Sequence, residues 1–160
     1  MHYDLSADEA YEMSINKKFQ EKKCRDANAV SWRVTVDGGE SGATVRVYRK
    51  LPTVGFPSLL RKVLPSGVAA TETIVWGAAA ADGARTAQLS VNFHGSPASL
   101  NGTIRIFADG PTASTVVVDA EFKVRVPLFG GRVENVAAPI VVRVIDAEEA
   151  TARAWAAGVR

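Results

Sequence analysis

The feature that most constrains the fold of this chain is a two-residue alternation of apolar and polar side chains, repeated in successive segments between residues 29 and 126. The segment 30–36 is one example. Such alternation is typical of a β-strand with one buried and one solvated face. Asp-Gly pairs at 37–38, 82–83 and 109–110 favour tight turns, because glycine adopts positive φ without a Cβ clash. The sequence therefore predicts an antiparallel meander of six strands.

Helical patterns lie on either side of this meander. Ser6 and Glu9 form a capping-box pattern, which predicts a short helix from about residue 7 to 15. The letters KKFQEKKC after Asn16 predict a second short helix, and residues 2–5 predict a brief first strand. The chain thus begins with one strand and two short helices.

A third helical pattern closes the chain. Apolar residues recur at spacings of three and four from Val133 to Trp155, which predicts a long helix over about 131–157. Each strand has one apolar face that another layer must cover, and this helix is the element long enough to do so. The predicted fold class is α+β, with a curved antiparallel sheet of about seven strands wrapped around the C-terminal helix. Pro139 lies inside this helix, where a kink or a break is expected.

Composition limits the classes of function. The 160 residues fit one domain, 1–160, and a net charge of +2 is too small to indicate nucleic-acid binding. The basic residues around Lys22 and Lys23 are interpreted as a solvated helix face. The single cysteine, Cys24, is expected to be buried and fits a reducing compartment. Because neither a signal peptide nor an apolar run of about 18–20 residues is found, a cytoplasmic protein without stable membrane insertion is expected.

Several motifs carry a resemblance to a known superfamily. They are FQEKKC, LPTVGFPSLLRKVLPSG, TETIVWGAAAADG and VPLFGGRVE, in that order. With the order of the predicted elements, they make the chain similar to the START-like, or helix-grip, superfamily, which includes polyketide cyclase-like proteins. More narrowly, the chain resembles a family of unknown function from bacteria with high-GC genomes. The resemblance implies a cavity between sheet and helix that holds a lipid-like or polycyclic molecule.

A long connection, residues 52–67, interrupts the predicted meander. Leu59, Leu60, Val63 and Leu64 have helical spacing, so a short amphipathic helix is expected there. Two interpretations remain open: a lid over the mouth of the cavity, or a plug at the open end of the sheet.

The residues expected to bind the ligand are the inward-facing apolar side chains of strands, lid and helix, together with one carboxylate, Glu72. They are Trp32, Val34, Val47, Phe56, Leu59, Leu60, Glu72, Leu89, Phe93, Ile104, Ile106, Phe122, Val136, Ile140 and Val144. Glu72 shares a strand face with apolar residues, and its carboxylate would need a partner if that face is buried.

Two functions are compatible with these observations. The first is binding, sequestration or transport of a small hydrophobic ligand without catalysis. The alternative is a polyketide cyclase- or dehydratase-like enzyme, for which Glu72, Tyr48 and His94 are the candidate acid–base residues. No catalytic set is recognised in the sequence, and neither a metal site nor a cofactor is predicted, since two distant histidines and one cysteine form no zinc-binding pattern. A protein-interaction module is a third possibility without specific support.

Overall fold

The computed structural model describes residues 1–54, 56–63 and 67–159. In chain order its elements are β1 (His2–Tyr3), α1 (Ala7–Ser14), α2 (Lys17–Asp26), β2 (Ser31–Gly39), β3 (Gly42–Leu51), α3 (Ser58–Val63), β4 (Val68–Trp76), β5 (Arg85–Phe93), β6 (Ala98–Ala108), β7 (Ser114–Val124) and α4 (Gly130–Ala156). The predicted α+β class is confirmed, and its arrangement is consistent with a helix-grip fold. The predicted contribution of Leu64 to the lid lies outside the described residues.

Side-chain caps begin the two short helices. The Ser6 hydroxyl accepts a hydrogen bond from the Glu9 amide, and the Glu9 carboxylate accepts one from the Ser6 amide at 2.8 Å. At the start of α2, the Asn16 side chain accepts a hydrogen bond from the Lys18 amide at 2.9 Å. These bonds satisfy amide groups that have no partner within the helix. They explain why both helices begin where the sequence predicted.

The seven strands form one open antiparallel sheet in the order β1-β7-β6-β5-β4-β3-β2. Gly83 and Gly110 adopt positive φ, 80° and 108°, in the turns after β4 and β6, as their Asp-Gly pairs predicted. Gly38 also has positive φ, but it lies inside β2, and the chain turns two residues later at Glu40. The meander is therefore confirmed, and its first turn lies within the segment DGGESG, residues 37–42.

Gly102 marks a close approach between β6 and β7. It pairs with Ala120 in the neighbouring strand, and a Cβ atom at position 102 would lie only 2.0 Å from the carbonyl oxygen of Asp119. Any larger residue would force the two strands apart. Glycine at position 102 therefore allows β6 and β7 to approach each other closely on the face of the sheet that α4 covers.

Helix α4 is 27 residues long and continues through Pro139. Proline at this position lacks the amide that would bond to the carbonyl of Asn135, so a single intrahelical hydrogen bond is missing. The remaining bonds of a long helix, together with its packing against β7, α2 and α3, outweigh that loss. The break that the sequence made possible does not occur.

Buried side chains form three groups between these layers. The largest places Tyr11 and Cys24, from α1 and α2, against the inner face of β2 and β3. A second joins Tyr3, Phe19 and Trp155 where the two ends of the chain meet. The third packs α3 on α4 and the end of β7. Cys24 is fully buried, as predicted. Different helices therefore cover different parts of the sheet.

None of the helices within the described ranges combines the length and the apolarity needed to cross a membrane.

Candidate functional site

A cavity of about 250 Å³ lies between the inner face of the sheet and α4. Leu89 of β5, Ile104 of β6 and Val118 of β7 line its sheet side, and Val141 and Ile145 of α4 line the opposite side. These residues face the cavity because strand side chains alternate between the two faces of a sheet and helix side chains repeat every three or four residues. The walls of this cavity are mainly apolar.

Most of the residues expected to bind a ligand line this cavity. They are Phe56, Leu60, Glu72, Leu89, Phe93, Ile104, Ile106, Phe122, Ile140 and Val144. Phe56 and Leu60 belong to the predicted lid, and Leu60 packs in one cluster with Val133 and Ala137 of α4. Phe56 and Leu60 therefore contribute apolar surface to the cavity wall.

Val34 and Val47 are buried, but they do not line the cavity. They face inward on β2 and β3, as predicted, and pack in one cluster with Ala10 and Tyr11 of α1 and with Cys24 of α2. The short helices therefore cover this part of the sheet. Strand periodicity predicts which face is buried, but it does not predict which helix buries it.

Three further predicted residues also lie away from the cavity. Trp32 is on the edge strand β2 and remains 38% exposed. Leu59 and Val136 pack against the cluster formed by α3 and the first turns of α4. The prediction that these side chains line the cavity is therefore wrong, because an edge position and the docking of α3 direct them elsewhere.

Four charged side chains lie together on the cavity wall. Arg49 Nη2 lies 3.0 Å from Glu148 Oε1 and 3.4 Å from Glu72 Oε2. Lys23 Nζ lies 2.9 Å from Glu148 Oε2 and 3.6 Å from Glu72 Oε1. Each cation thus contacts both carboxylates, and the group of Lys23, Arg49, Glu72 and Glu148 is called the charged cluster below. Two positive and two negative charges leave it without net charge.

Separate elements bring the charged cluster together. Arg49 and Glu72 face inward from β3 and β4, while Lys23 comes from α2 and Glu148 from α4. Glu72 therefore has two cations near its carboxylate as ion-pair partners for its buried charge. The interpretation of the basic residues near Lys22 as a solvated face is wrong for Lys23, which is buried because two carboxylates compensate its charge.

The cluster shifts the pKa values of Lys23, Arg49 and Glu148 toward their charged forms. Burial raises the pKa of Glu148, but attraction by Lys23 and Arg49 outweighs burial and lowers that pKa from 4.5 to about 2. Burial lowers the pKa of Lys23, but Glu148 and Glu72 outweigh it and leave that pKa raised. The same two carboxylates raise the pKa of Arg49 despite its burial. All three groups are therefore charged at neutral pH.

This arrangement predicts how acid affects stability. Because the folded pKa of Glu148 is depressed, its contribution is present above pH 4.5 and is lost as the pH falls toward about 2. The loss amounts to at most about 3 kcal/mol.

We expect Glu148→Gln to show a smaller decline in the free energy of unfolding than the wild type when urea titrations at pH 6 and pH 3 are compared. Glu121→Gln, an exposed control, should decline like the wild type. If the free energy of unfolding falls equally between pH 6 and pH 3 in all three proteins, the role assigned to Glu148 is contradicted.

A second cavity, of about 350 Å³, borders the charged cluster. Lys23, Arg49 and Glu148 line both cavities, and the second is also lined by Val54, which is almost fully exposed, and by Arg143. The charged cluster therefore lies at the common boundary of an apolar space and a more polar one that includes exposed residues.

Tyr48 and His94 lie outside the cavity. They contact each other on the outer face of the sheet, with ring centroids 5.7 Å apart, and His94 Nε2 lies 2.7 Å from the Thr71 hydroxyl. Of the three acid–base candidates, only Glu72 reaches the cavity. Within the described parts of the chain, no three His, Cys, Asp or Glu side chains gather as a possible metal site.

Comparison with known proteins identifies the family of this chain. No curated protein matches its sequence. A family model does match, over residues 1–156, and its description is "Protein of unknown function (DUF2505)". This match extends from the first strand almost to the end of α4, and the chain therefore belongs to the DUF2505 family.

Proposed function

We propose that this protein binds a small hydrophobic molecule in the cavity between the sheet and α4, in order to sequester or carry it, and that the fold is of the START-like type. The observation that carries the proposal is the cavity of about 250 Å³ with its mainly apolar lining. The order of elements, with one strand, two short helices, a meander and a long terminal helix, supports the same placement. The segment that includes α3 would act as a lid, because Phe56 and Leu60 contribute to the cavity wall.

An unfilled apolar cavity is energetically unfavourable. At about 24 cal/mol per Å³, a space of this size costs at most about 6 kcal/mol relative to a packed interior. An apolar occupant would recover part of this cost through the contacts that it makes with Leu89, Val118 and Val141. Contacts with these apolar walls therefore favour binding of an apolar molecule.

The geometry gives less support to a polyketide cyclase-like enzyme. General acid–base catalysis needs a titratable group within hydrogen-bond reach of the substrate. Tyr48 and His94 are on the opposite face of the sheet from the cavity, and the Glu72 carboxylate lies in ion-pair contact with Arg49 and Lys23. The residues nominated from the sequence for catalysis are thus not assembled around a common substrate position.

A binding test follows from the position of Val118. Replacing Val118 with phenylalanine places a ring inside the cavity, whereas the same change at Val117 places it on the outer face, because neighbouring strand residues point in opposite directions. We expect Val118→Phe to bind the neutral fluorescent probe N-phenyl-1-naphthylamine at least about tenfold more weakly than the wild type, equivalent to about 1.4 kcal/mol. Val117→Phe should bind it like the wild type. Fluorescence titration measures both affinities.

Two results would contradict the proposal. One is failure of the wild-type protein to bind the probe. The other is equal weakening by Val118→Phe and Val117→Phe, which would place the probe outside the cavity. Circular dichroism spectra of both variants verify that the fold is retained.

A further inference from the structure

Among the residues that the structure describes, three polar atoms on buried side chains of the cavity wall have no hydrogen-bond partner. They are Gln20 Oε1, Glu72 Oε1 and Trp76 Nε1, and their residues are between 2% and 7% exposed. A buried polar atom without a partner destabilises the folded protein, and most such atoms in proteins are paired. These atoms therefore indicate where an occupant would place polar groups of its own.

The two acceptors belong to one region of the wall. Gln20 precedes Lys23 by three residues on α2, so the two side chains share a helix face. Lys23 Nζ lies 3.6 Å from Glu72 Oε1. The orientation of the Gln20 amide follows from its other bond, since Nε2 donates to the Ser14 carbonyl at 2.6 Å and a carbonyl can only accept. Gln20 Oε1 is therefore an acceptor that still needs a donor.

The charge balance of the charged cluster, beside Gln20 and Glu72, restricts that donor. Among the side chains that the structure describes along the cavity, the charged ones are the two cations and two carboxylates of the charged cluster. A ligand carboxylate would add a third negative charge to this balanced set and would bring no proton for Gln20 or Glu72. A ligand ammonium would add a third positive charge. A neutral hydroxyl adds no charge and can donate a hydrogen bond.

We propose that the hydrophobic ligand carries a neutral hydrogen-bond-donating group, such as a hydroxyl, that binds beside Gln20 and Glu72, and that the charged cluster selects against carboxylates. This inference rests on the proposed function and specifies the class of ligand. The rest of the ligand contacts apolar wall such as Leu89 and Val118.

Three probes of one size test this selectivity: 2-naphthol, 2-methylnaphthalene and naphthalene-2-carboxylate, each titrated against bound N-phenyl-1-naphthylamine. For the wild type we expect 2-naphthol to bind at least about tenfold tighter than the carboxylate. Gln20→Met keeps the length of the side chain but removes the acceptor. It should lower the affinity for 2-naphthol relative to 2-methylnaphthalene by about fivefold to tenfold.

Glu72→Gln tests the charge balance, because it leaves Lys23 and Arg49 with one carboxylate. We expect the affinity for naphthalene-2-carboxylate to rise by about tenfold relative to that for 2-methylnaphthalene. Glu148→Gln makes the same change in charge from α4 and serves as a second variant if Glu72→Gln does not fold. Glu121→Gln, on the exposed surface, should leave all three affinities unchanged.

The outcomes separate this inference from the proposed function. If the carboxylate binds as tightly as 2-naphthol and neither Glu→Gln change alters their ratio, the inference is overturned while binding of hydrophobic molecules stands. If none of the three probes displaces N-phenyl-1-naphthylamine from the wild type, the proposed function and the inference both fail. The inference is supported if the wild type binds 2-naphthol more tightly than naphthalene-2-carboxylate. It also requires that the relative affinity for the carboxylate rises in both Glu72→Gln and Glu148→Gln.

Discussion

Replacing Arg49 with methionine is expected to lower the free energy of unfolding by about 3–5 kcal/mol, because the change leaves the buried carboxylate of Glu72 and the partly buried carboxylate of Glu148 with only one cation. Arg49 is 8% exposed, and its guanidinium contacts both Glu72 and Glu148. Methionine fills much of the same volume, so the loss measures the missing charge rather than a void. Urea denaturation at pH 7 provides the free energy of unfolding.

Arg46 supplies the matched control for this change. It lies on the same strand, but its side chain is on the exposed face. Arg46→Met should change the free energy of unfolding by no more than about 0.5 kcal/mol. Equal effects of the two substitutions would show that the charged cluster contributes no more to stability than a surface arginine does.

Replacing Trp155 with alanine should also cost about 3–5 kcal/mol, the usual range for removing a large aromatic side chain from a core. Trp155 is 7% exposed, and its ring packs edge-to-face on Phe19, with centroids 5.6 Å apart. Its cluster also includes Tyr3 of β1. The substitution therefore weakens the attachment of the end of α4 to both α2 and β1. Thermal and urea denaturation should both show the loss.

Trp32 provides the matched control for Trp155. Both are tryptophans, but Trp32 lies on the edge strand with 38% of its surface exposed and outside the cavity lining. Trp32→Ala should cost clearly less than Trp155→Ala and should not weaken binding of N-phenyl-1-naphthylamine. Weaker probe binding by Trp32→Ala would show that Trp32 contributes to the ligand site, which would contradict its position in the structure.

The fold could be predicted from the sequence because its main signals are local. Alternation identifies the strands, and the capping box of Ser6 and Glu9 identifies the start of α1. The segment DGGESG contains the turn after β2, although Gly38 adopts its positive φ within the strand itself. Local signals also could not show that α4 continues through Pro139, since that depends on the packing of the whole helix.

The site was predicted less completely because it depends on which elements meet. Val34 and Val47 were correctly placed on the inner face, yet the short helices cover them. The burial of two members of the charged cluster, Arg49 and Glu148, could have been predicted from the sequence. Arg49 follows Val47 at the strand period, and Glu148 follows Val144 at the helical period, so both lie on faces predicted to be buried. The contact of these residues with Lys23, however, depends on the docking of α2 against α4, which no periodicity encodes.

A crystal structure of the protein grown with 2-methylnaphthalene tests most directly whether the cavity holds an apolar molecule. The predicted result is electron density for the ring between Leu89, Val118 and Val141, with the ring inside the space that the sheet and α4 enclose. Density for the ring only on the outer surface, or an interior closed by side chains, would contradict a ligand-binding function for this cavity.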